Sequence, residues 1–248
     1  MSKILHYCWF GNSPLPESAL YCMESWKKFC PDFKIKRWDE TNFDVQSVPF
    51  TAEAYRAEKY AFVSDYVRTY ALYKEGGLYL DTDVELVKSI DDLLDCSFIG
   101  FESVGIVNPG LILYSNQKEL SILKSILDIY QELSFKSSEA SQFTVPLIYT
   151  KVLKDLGLTE ENRLQTVGDM KVYPIDFFNP KGTSWKNKDY FTSNTRSIHH
   201  FEASWLSQSD RRLFYLSKTY GNFWGKVIFT VQHPIQAGKK LMGKKNVR

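Results

Sequence analysis

The chain holds four cysteines in 248 residues, Cys8, Cys22, Cys30 and Cys96, and no two of them form a Cys-x-x-Cys pair. That excludes the usual zinc modules, and the thiols are expected to stay reduced, as in a cytosolic protein. No Gly-x-Gly-x-x-Gly occurs, which excludes the dinucleotide-binding fingerprint. No run of about 18 apolar residues exists, so no spanning helix is expected. The opening MSKILHYCWFG has no charged start followed by a long apolar stretch and a small-residue cleavage site, so no secretory leader is expected. Internal repeats and low-complexity linkers are missing too. The last absence is local: residues 211–248 contain no Asp or Glu.

The rest of the composition is that of a globular chain, with 44% hydrophobic and 24% charged residues. Its length suffices for one large domain or two small ones with a sizeable core. Aromatics reach 15%, and most are expected to be core material. The net charge of +2 hides an asymmetry. Nine of the 31 Lys and Arg lie in 211–248, so the remaining body carries seven more acidic than basic residues. An acidic body and a basic end are two surfaces with two tasks.

Along the chain, Ile4 to Phe10 reads as a buried strand closed by Gly11-Asn12-Ser13-Pro14, Pro16 to Phe29 as a helix, and Lys34 to Trp38 as a second strand. This βαβ order predicts a Rossmann-like nucleotide-binding half. Ala52 to Glu75 reads as one long helix stopped by Gly76-Gly77, and Leu78 to Val87 as the strand that follows. Further helices are expected over Ser89–Leu94, Glu119–Leu133 and Pro146–Leu156. Strands are expected over Phe98–Gly100, Gly110–Tyr114, Val172–Ile175 and Ser197–Phe201. The alternation argues for one α/β domain with a mostly parallel sheet.

The chemistry concentrates in two neighbouring segments. In a strand with a period of two, Leu78, Leu80, Val84 and Leu86 would share one face and Asp81, Asp83 and Glu85 the other. Two carboxylates about 7 Å apart on one face repel each other unless a cation lies between them. Such oxygen ligands suit Mg²⁺ or Mn²⁺. The competing reading, a wet acidic strand, fits poorly with so apolar an opposite face. In the preceding helix Ser64, Asp65, Arg68 and Thr69 fall in one arc, and nearly everything else is apolar. Taken alone, that stripe could equally be a structural ion pair.

Phe62-Val63-Ser64-Asp65-Tyr66-Val67-Arg68, then Gly76-Gly77-Leu78-Tyr79-Leu80-Asp81-Thr82-Asp83, closely resembles the core of the DXD-containing sugar transferases of glycosyltransferase family 32. That family includes bacterial capsule and surface-polysaccharide enzymes, fungal mannosyltransferases and, more distantly, the glucosylating domains of large bacterial toxins. Lys3-Ile4-Leu5-His6-Tyr7-Cys8-Trp9-Phe10-Gly11 looks like its first strand, and His199-His200-Phe201-Glu202-Ala203-Ser204-Trp205 like its closing motif. The resemblance implies a GT-A fold, a Rossmann-like mixed sheet flanked by helices, over a catalytic domain at 1–210. It also implies a nucleotide-sugar donor, a divalent cation and retention of anomeric configuration. Trp9, with Phe10, would meet the donor base. Asp65 and Arg68 would hold the donor sugar, and Asp81 the ribose and metal shell. Asp83 would ligate the metal, and His199 would approach it. Of two adjacent strand histidines at most one reaches the metal, and the family pattern favours His199 over His200. Ser204 and Trp205 would touch phosphate and ring, and Glu102 and Asn108 could lie near the reacting sugar.

The expected activity is therefore hexosyl transfer from a nucleotide sugar, a UDP-hexose by family analogy, to a glycan acceptor carried on a polyprenyl diphosphate. The segment 211–248 interleaves Phe214, Tyr215, Tyr220, Phe223, Trp224 and Phe229 with its cations, which suits a peripheral position on the inner face of the cell membrane. The acidic body argues against a nucleic-acid partner. The alternatives are a toxin-like protein-modifying glycosyltransferase, a metal-dependent nucleotidyltransferase or phosphohydrolase, and a non-catalytic binding module.

Overall fold

A computed structural model describes residues 3–136, 144–181, 190–202 and 208–232. The described chain forms two compact bodies, one running to Lys181 and resuming over Tyr190–His200, the other beginning at Phe201. The first strand, β1 (Ile4–Cys8), leads through helix α1 (Glu17–Phe29) to β2 (Lys34–Trp38), and β1 and β2 pair in parallel over their whole length. This is the βαβ unit expected from the sequence. Side chains of β1 alternate between two layers, as the strand period requires. Tyr7 packs against Trp26 of α1, whereas Cys8 belongs to the large core on the other face.

The long helix expected over 52–75 is two helices, α2 (Pro49–Arg56) and α3 (Tyr60–Glu75). The break falls at Ala57-Glu58-Lys59, where Glu58 takes φ 56° and Lys59 N–H returns to Ala54 O at 2.9 Å. Helical periodicity continues through such a corner, because both helices bury one face in the same core. Helix α3 carries the centre of that core: Val63, Val67, Ala71 and Leu72 have no exposed surface. Each Val or Leu buried in this way contributes about 1.5–3 kcal/mol. Phe43, Phe50, Tyr66, Tyr70, Tyr130 and Phe135 form a run of ring contacts beside them. These rings belong to the core or pack against it, as expected for most of the aromatics. Gly76 caps α3 with φ 66°. At Gly77 a Cβ would stand 2.4 Å from Ile4 O, so the chain can enter β3 (Gly77–Tyr79) beside β1 only with glycine there.

The strand expected over 78–87 is also broken. β3 pairs with β1 in parallel, whereas β4 (Val84–Leu86) leaves that sheet and pairs with the last strand of the body. Between them Asp81–Val84 is a turn closed by Val84 N–H to Asp81 O at 3.1 Å. Apolar alternation hid the change because Leu78, Leu80, Val84 and Leu86 are all fully buried, against two different partners.

A 3₁₀ turn, Asp91–Leu93, precedes β5 (Ser97–Ser103), β6 (Ile106–Val107) and β7 (Leu113–Ser115). Then come α4 (Ser121–Glu132), α5 (Val145–Asp155), β8 (Gln165–Val167), β9 (Met170–Tyr173), α6 (Ile175–Phe178) and β10 (Ser197–His199). The main sheet has the order β2-β1-β3-β7-β5-β9-β8, with β6 on β5. Its β1–β2, β1–β3 and β5–β9 pairs are parallel and the others antiparallel. The sheet is therefore mixed, not mostly parallel. β8 and β6, too short to announce themselves, were not expected. β10 and β4 form a separate two-stranded antiparallel sheet.

In the second body, α7 (Gln208–Gln232) is a helix interrupted at Gly221, whose φ 83° and ψ 159° are not helical. Tyr215, Tyr220, Val227 and Val231 are exposed on it. No described helix is long and apolar enough to cross a membrane.

Candidate active site

Three elements of the first body bring polar side chains to one place: α3, the turn between β3 and β4, and β10. The helical spacing of Asp65 and Arg68 puts both on one face. Both are buried, and Arg68 Nη2 meets Asp65 Oδ1 at 2.8 Å. The same guanidinium reaches across to the turn. Its Nη1 lies 3.3 Å from Asp81 Oδ2 and its Nη2 3.3 Å from Asp81 Oδ1. Tyr79 donates its hydroxyl to Asp81 Oδ1 at 2.9 Å, and its ring lies under the guanidinium at 5.0 Å. Asp81 is thus fixed by an arginine, a phenol and its own backbone, whose N–H bonds Gly110 O at 3.2 Å.

Asp83 is held differently. Its backbone carbonyl accepts the N–H of His200 at 3.0 Å, which locks β10 against the turn. Its Oδ1 lies 3.0 Å from His199 Nε2. His200, facing the opposite way, lies 3.0 Å from Glu85 Oε2, and Tyr21 donates to the other oxygen of Glu85 at 3.0 Å. The structure therefore brings His199, and not His200, to the aspartates. One ligand atom from each of Asp81, Asp83 and His199 fits within 4.8 Å of the others. The two aspartates are near each other because of the turn and not because of a shared strand face.

The electrostatics follow from burial. Desolvation raises the Asp65 carboxyl to about 7, against the pull of Arg68. Burial alone would lower the arginine and the His199 imidazole. Asp81, Tyr79 and Asp65 instead raise Arg68, and Asp83 raises His199 above the ordinary imidazole value. Each aspartate of the turn has its own side-chain partner, Arg68 for Asp81 and His199 for Asp83. The donor set itself, two carboxylate oxygens and an imidazole nitrogen converging on one point, nonetheless fits a divalent cation such as Mn²⁺ or Mg²⁺. Such an ion would displace the Asp83–His199 hydrogen bond.

The other expected residues divide. Trp9, half-buried at the end of β1, donates its indole N–H to Ser13 O at 2.7 Å. Phe10 points into the core against Phe43, so its ring is not displayed to a ligand. Asn108 is buried and bonds both Glu102, at 2.7 Å, and Gly110 N–H, at 2.7 Å. Ser204 and Trp205 lie outside the described residues. Sequence reading passed over Gly110, where an added Cβ would stand 2.2 Å from Asp81 Oδ2 and 2.9 Å from Arg68 Nη1. Only the Asn-Pro-Gly turn signal at 108–110 could have drawn attention to it. It had also assigned no role to Tyr79, although the residue stands in the motif itself.

Residues 16–98 match the family described as glycosyltransferase sugar-binding region containing DXD motif. This window holds Asp65, Arg68, Asp81 and Asp83 and ends before Glu102, Asn108 and His199. A stretch of 96 residues is 32% identical to inositol phosphoceramide mannosyltransferase 3 of Schizosaccharomyces pombe (strain 972 / ATCC 24843). It covers 37% of this chain and 27% of the fungal protein, so the chain matches about a quarter of that relative's length. Among solved structures, the PaToxG glycosyltransferase superposes with a TM-score of 0.49 at 18% identity, over 62% of this chain and 69% of that one. A glycosyltransferase involved in the glycosylation of the major capsid of PBCV-1 superposes with a TM-score of 0.46 at 13% identity, over 84% and 97%. Residues 16–98 thus match a DXD glycosyltransferase region, and the Asp-Thr-Asp within them sits at the meeting point of α3, β3, β4 and β10.

Proposed function

We propose that the protein is a metal-dependent glycosyltransferase that moves a hexose from a nucleotide sugar to a glycan acceptor with retention of configuration. The observation that carries this reading is the convergence of Asp81, Asp83 and His199, beside an Arg68 that bridges Asp65 and Asp81, inside a matched DXD region. A GT-A arrangement and membership of glycosyltransferase family 32 belong to the same proposal. A bound divalent cation would supply Lewis-acid neutralisation of the diphosphate leaving group.

The chain's own residues do the rest. Asp83 and His199, with Asp81, would hold the ion, and the imidazole nitrogen favours Mn²⁺ over the harder Mg²⁺. Arg68 keeps Asp81 aimed and presents its charge next to the site. The Asp65 carboxylate is positioned to accept hydroxyls of the sugar. Trp9 offers its ring to the base. The bond from sugar C1 to phosphate oxygen breaks with its electrons going to the diphosphate. The acceptor hydroxyl forms the new bond, and its proton goes to the departing diphosphate. Developing positive charge at C1 is met by the surrounding carboxylates. A phosphohydrolase or nucleotidyltransferase would need no Asp65–Arg68 pair, and no feature supports it over transfer.

The donor is proposed to be a UDP-hexose. The fungal relative's name favours a second reading, a mannosyl donor. Calorimetric titration of UDP, GDP and CMP with Mn²⁺ present distinguishes these. One nucleoside diphosphate should bind, and Trp9→Ala should weaken it. Binding of none would remove the proposal.

The acceptor is proposed to be carried on a lipid diphosphate at the inner face of the cell membrane, met through the basic, aromatic segment 211–248. Each cation near an anionic surface contributes about 1 kcal/mol. Residues 233–248, with five of the nine cations, lie outside the described residues. Co-sedimentation with anionic vesicles should fall with salt and with truncation near Lys226. Pelleting that ignores lipid charge, salt and truncation would rule the membrane contact out.

A further inference from the structure

β10 ends in two adjacent histidines, and only one of them reaches the aspartates. Burial does not choose between them. All three residues of β10 are buried, so the strand is enclosed on both faces, and it pairs with β4 over three residues only. A two-stranded ribbon of this length has little stability of its own. Moving a strand by one residue exchanges its faces. A slip by one would put His200 opposite Val84, where His199 now stands, and His199 opposite Glu85, where Ile198 now stands. With both faces enclosed, apolar burial does not oppose that exchange. Polar contacts at the two ends of β10 must therefore hold the register.

At the entry to β10, Arg196 O accepts Val87 N–H and Arg196 N–H reaches Phe177 O, both at 2.8 Å. At the exit, His200 N–H bonds Asp83 O at 3.0 Å, and His200 Nε2 lies 3.0 Å from Glu85 Oε2. Glu85 is in turn fixed from outside the ribbon. Tyr21 of α1 donates to Glu85 Oε1 at 3.0 Å. From the same helix, Ser25 Oγ accepts Leu86 N–H at 2.9 Å and Trp26 Nε1–H donates to Val84 O at 2.7 Å. Side chains of α1 thus grip β4, and β10 pairs with it as well. We propose that Glu85 is a positioning residue: held by α1, it retains His200 and so seats His199 beside Asp83 at the ion site, an inference that rests on the metal-dependent reading above. Glu85 is outside the ligand cluster of Asp81, Asp83 and His199. It acts through the histidine it holds back, as outer partners of metal sites orient ligands they support without touching the ion.

The test asks which histidine the ion uses. Mn²⁺ is titrated, with the nucleoside diphosphate that the wild type binds, into wild type, His199→Gln, Glu85→Ala and Glu85→Ala/His199→Gln. Glu85→Ala should weaken Mn²⁺ about tenfold, the low end of what losing a supporting partner costs a metal site. Glu85→Gln, which keeps an acceptor for Tyr21 and a polar arm for His200, should recover part of that loss. Glu85→Ala releases His200 toward the aspartates. His199→Gln should therefore cost at least about tenfold less Mn²⁺ affinity in that background than in wild type, a coupling that independent sites do not show. An equal cost in both backgrounds, or unchanged affinity in Glu85→Ala, would overturn the proposal. A merely structural Glu85 would shift denaturant unfolding without changing the histidine used. Should Glu85→Ala not fold, the same cycle is run with Tyr21→Phe, which releases Glu85 from α1, and the same outcomes decide. A wild type that binds none of UDP, GDP and CMP with Mn²⁺ would instead overturn the glycosyl-transfer reading, and this inference with it.

Discussion

Asp81 and Asp83 are two residues apart, yet the structure treats them in opposite ways. Asp81 is anchored on the large sheet, with Arg68, Tyr79 and the Gly110 carbonyl all bonded to it. Asp83 sits on the far side of a turn, attached to the small β4–β10 sheet, and its side-chain partner is an imidazole. The first carboxylate is preorganised by a buried guanidinium, a phenol and its own backbone bond. The second is hydrogen-bonded to an imidazole, a side chain whose nitrogen can also ligate a metal. Under the proposed function, one motif would combine a rigid half that orients the donor and an exchangeable half that binds the ion.

The largest expected effect lies on the rigid half. Arg68→Met should abolish turnover and destabilise the fold by roughly 3–5 kcal/mol, since it leaves Asp65 and Asp81 without their buried partner. Chemical denaturation and an activity assay measure both. Near-normal stability in Arg68→Met would show that the pair is not structural and break the contrast. On the exchangeable half, His199→Gln should leave stability close to wild type. It should weaken Mn²⁺ by more than the roughly 10–100-fold that losing an outer-shell partner costs. Unchanged metal affinity would remove His199 from the site.

A smaller effect sharpens the account of what supports Asp81. His6, fully buried beneath the β1–β3 junction, accepts Trp38 Nε1–H at its Nδ1 and so donates from Nε2 to Gly76 O, at 3.0 and 2.9 Å. Burial lowers its imidazole from 6.5 to about 4. The unfolded chain takes the proton first on acidification. The stability from neutral His6 is therefore complete above pH 6.5 and is lost as the pH falls toward 4, by about 3 kcal/mol. Denaturant unfolding of wild type and His6→Gln at pH 7 and pH 4.5 should show this loss in the wild type alone. Equal losses in the two proteins would contradict it.

How much of this was legible in the sequence depends on whether the signal was local. The β1-α1-β2 unit was readable because each element is closed by its own turn residues. Asp65 and Arg68 were readable as a pair because a helix dictates who faces whom. The proximity of Asp81 and Asp83 was right for a reason the structure replaces. Alternation predicted one strand face, and a turn between two sheets does the work. Periodicity cannot report that a buried strand changes partners, nor that a helix turns a corner at Glu58 when both halves bury the same face. The choice of His199 over His200 came from the family pattern, and the geometry supplies its cause: β10 pairs with β4 so that His199 faces Asp83 and His200 faces Glu85. Gly110 and the Asn108–Glu102 bond depend on contacts between distant segments, which residue types alone do not encode.

The central claim, that the Asp-Thr-Asp turn and His199 hold a divalent ion that carries the donor diphosphate, is tested most directly by titrating Mn²⁺ into wild type and Asp83→Asn with the nucleoside diphosphate present. The account predicts one Mn²⁺ per chain and nucleotide binding that requires it in the wild type. It predicts loss of both in a folded Asp83→Asn. Full nucleotide binding and turnover by the wild type in excess chelator would contradict it.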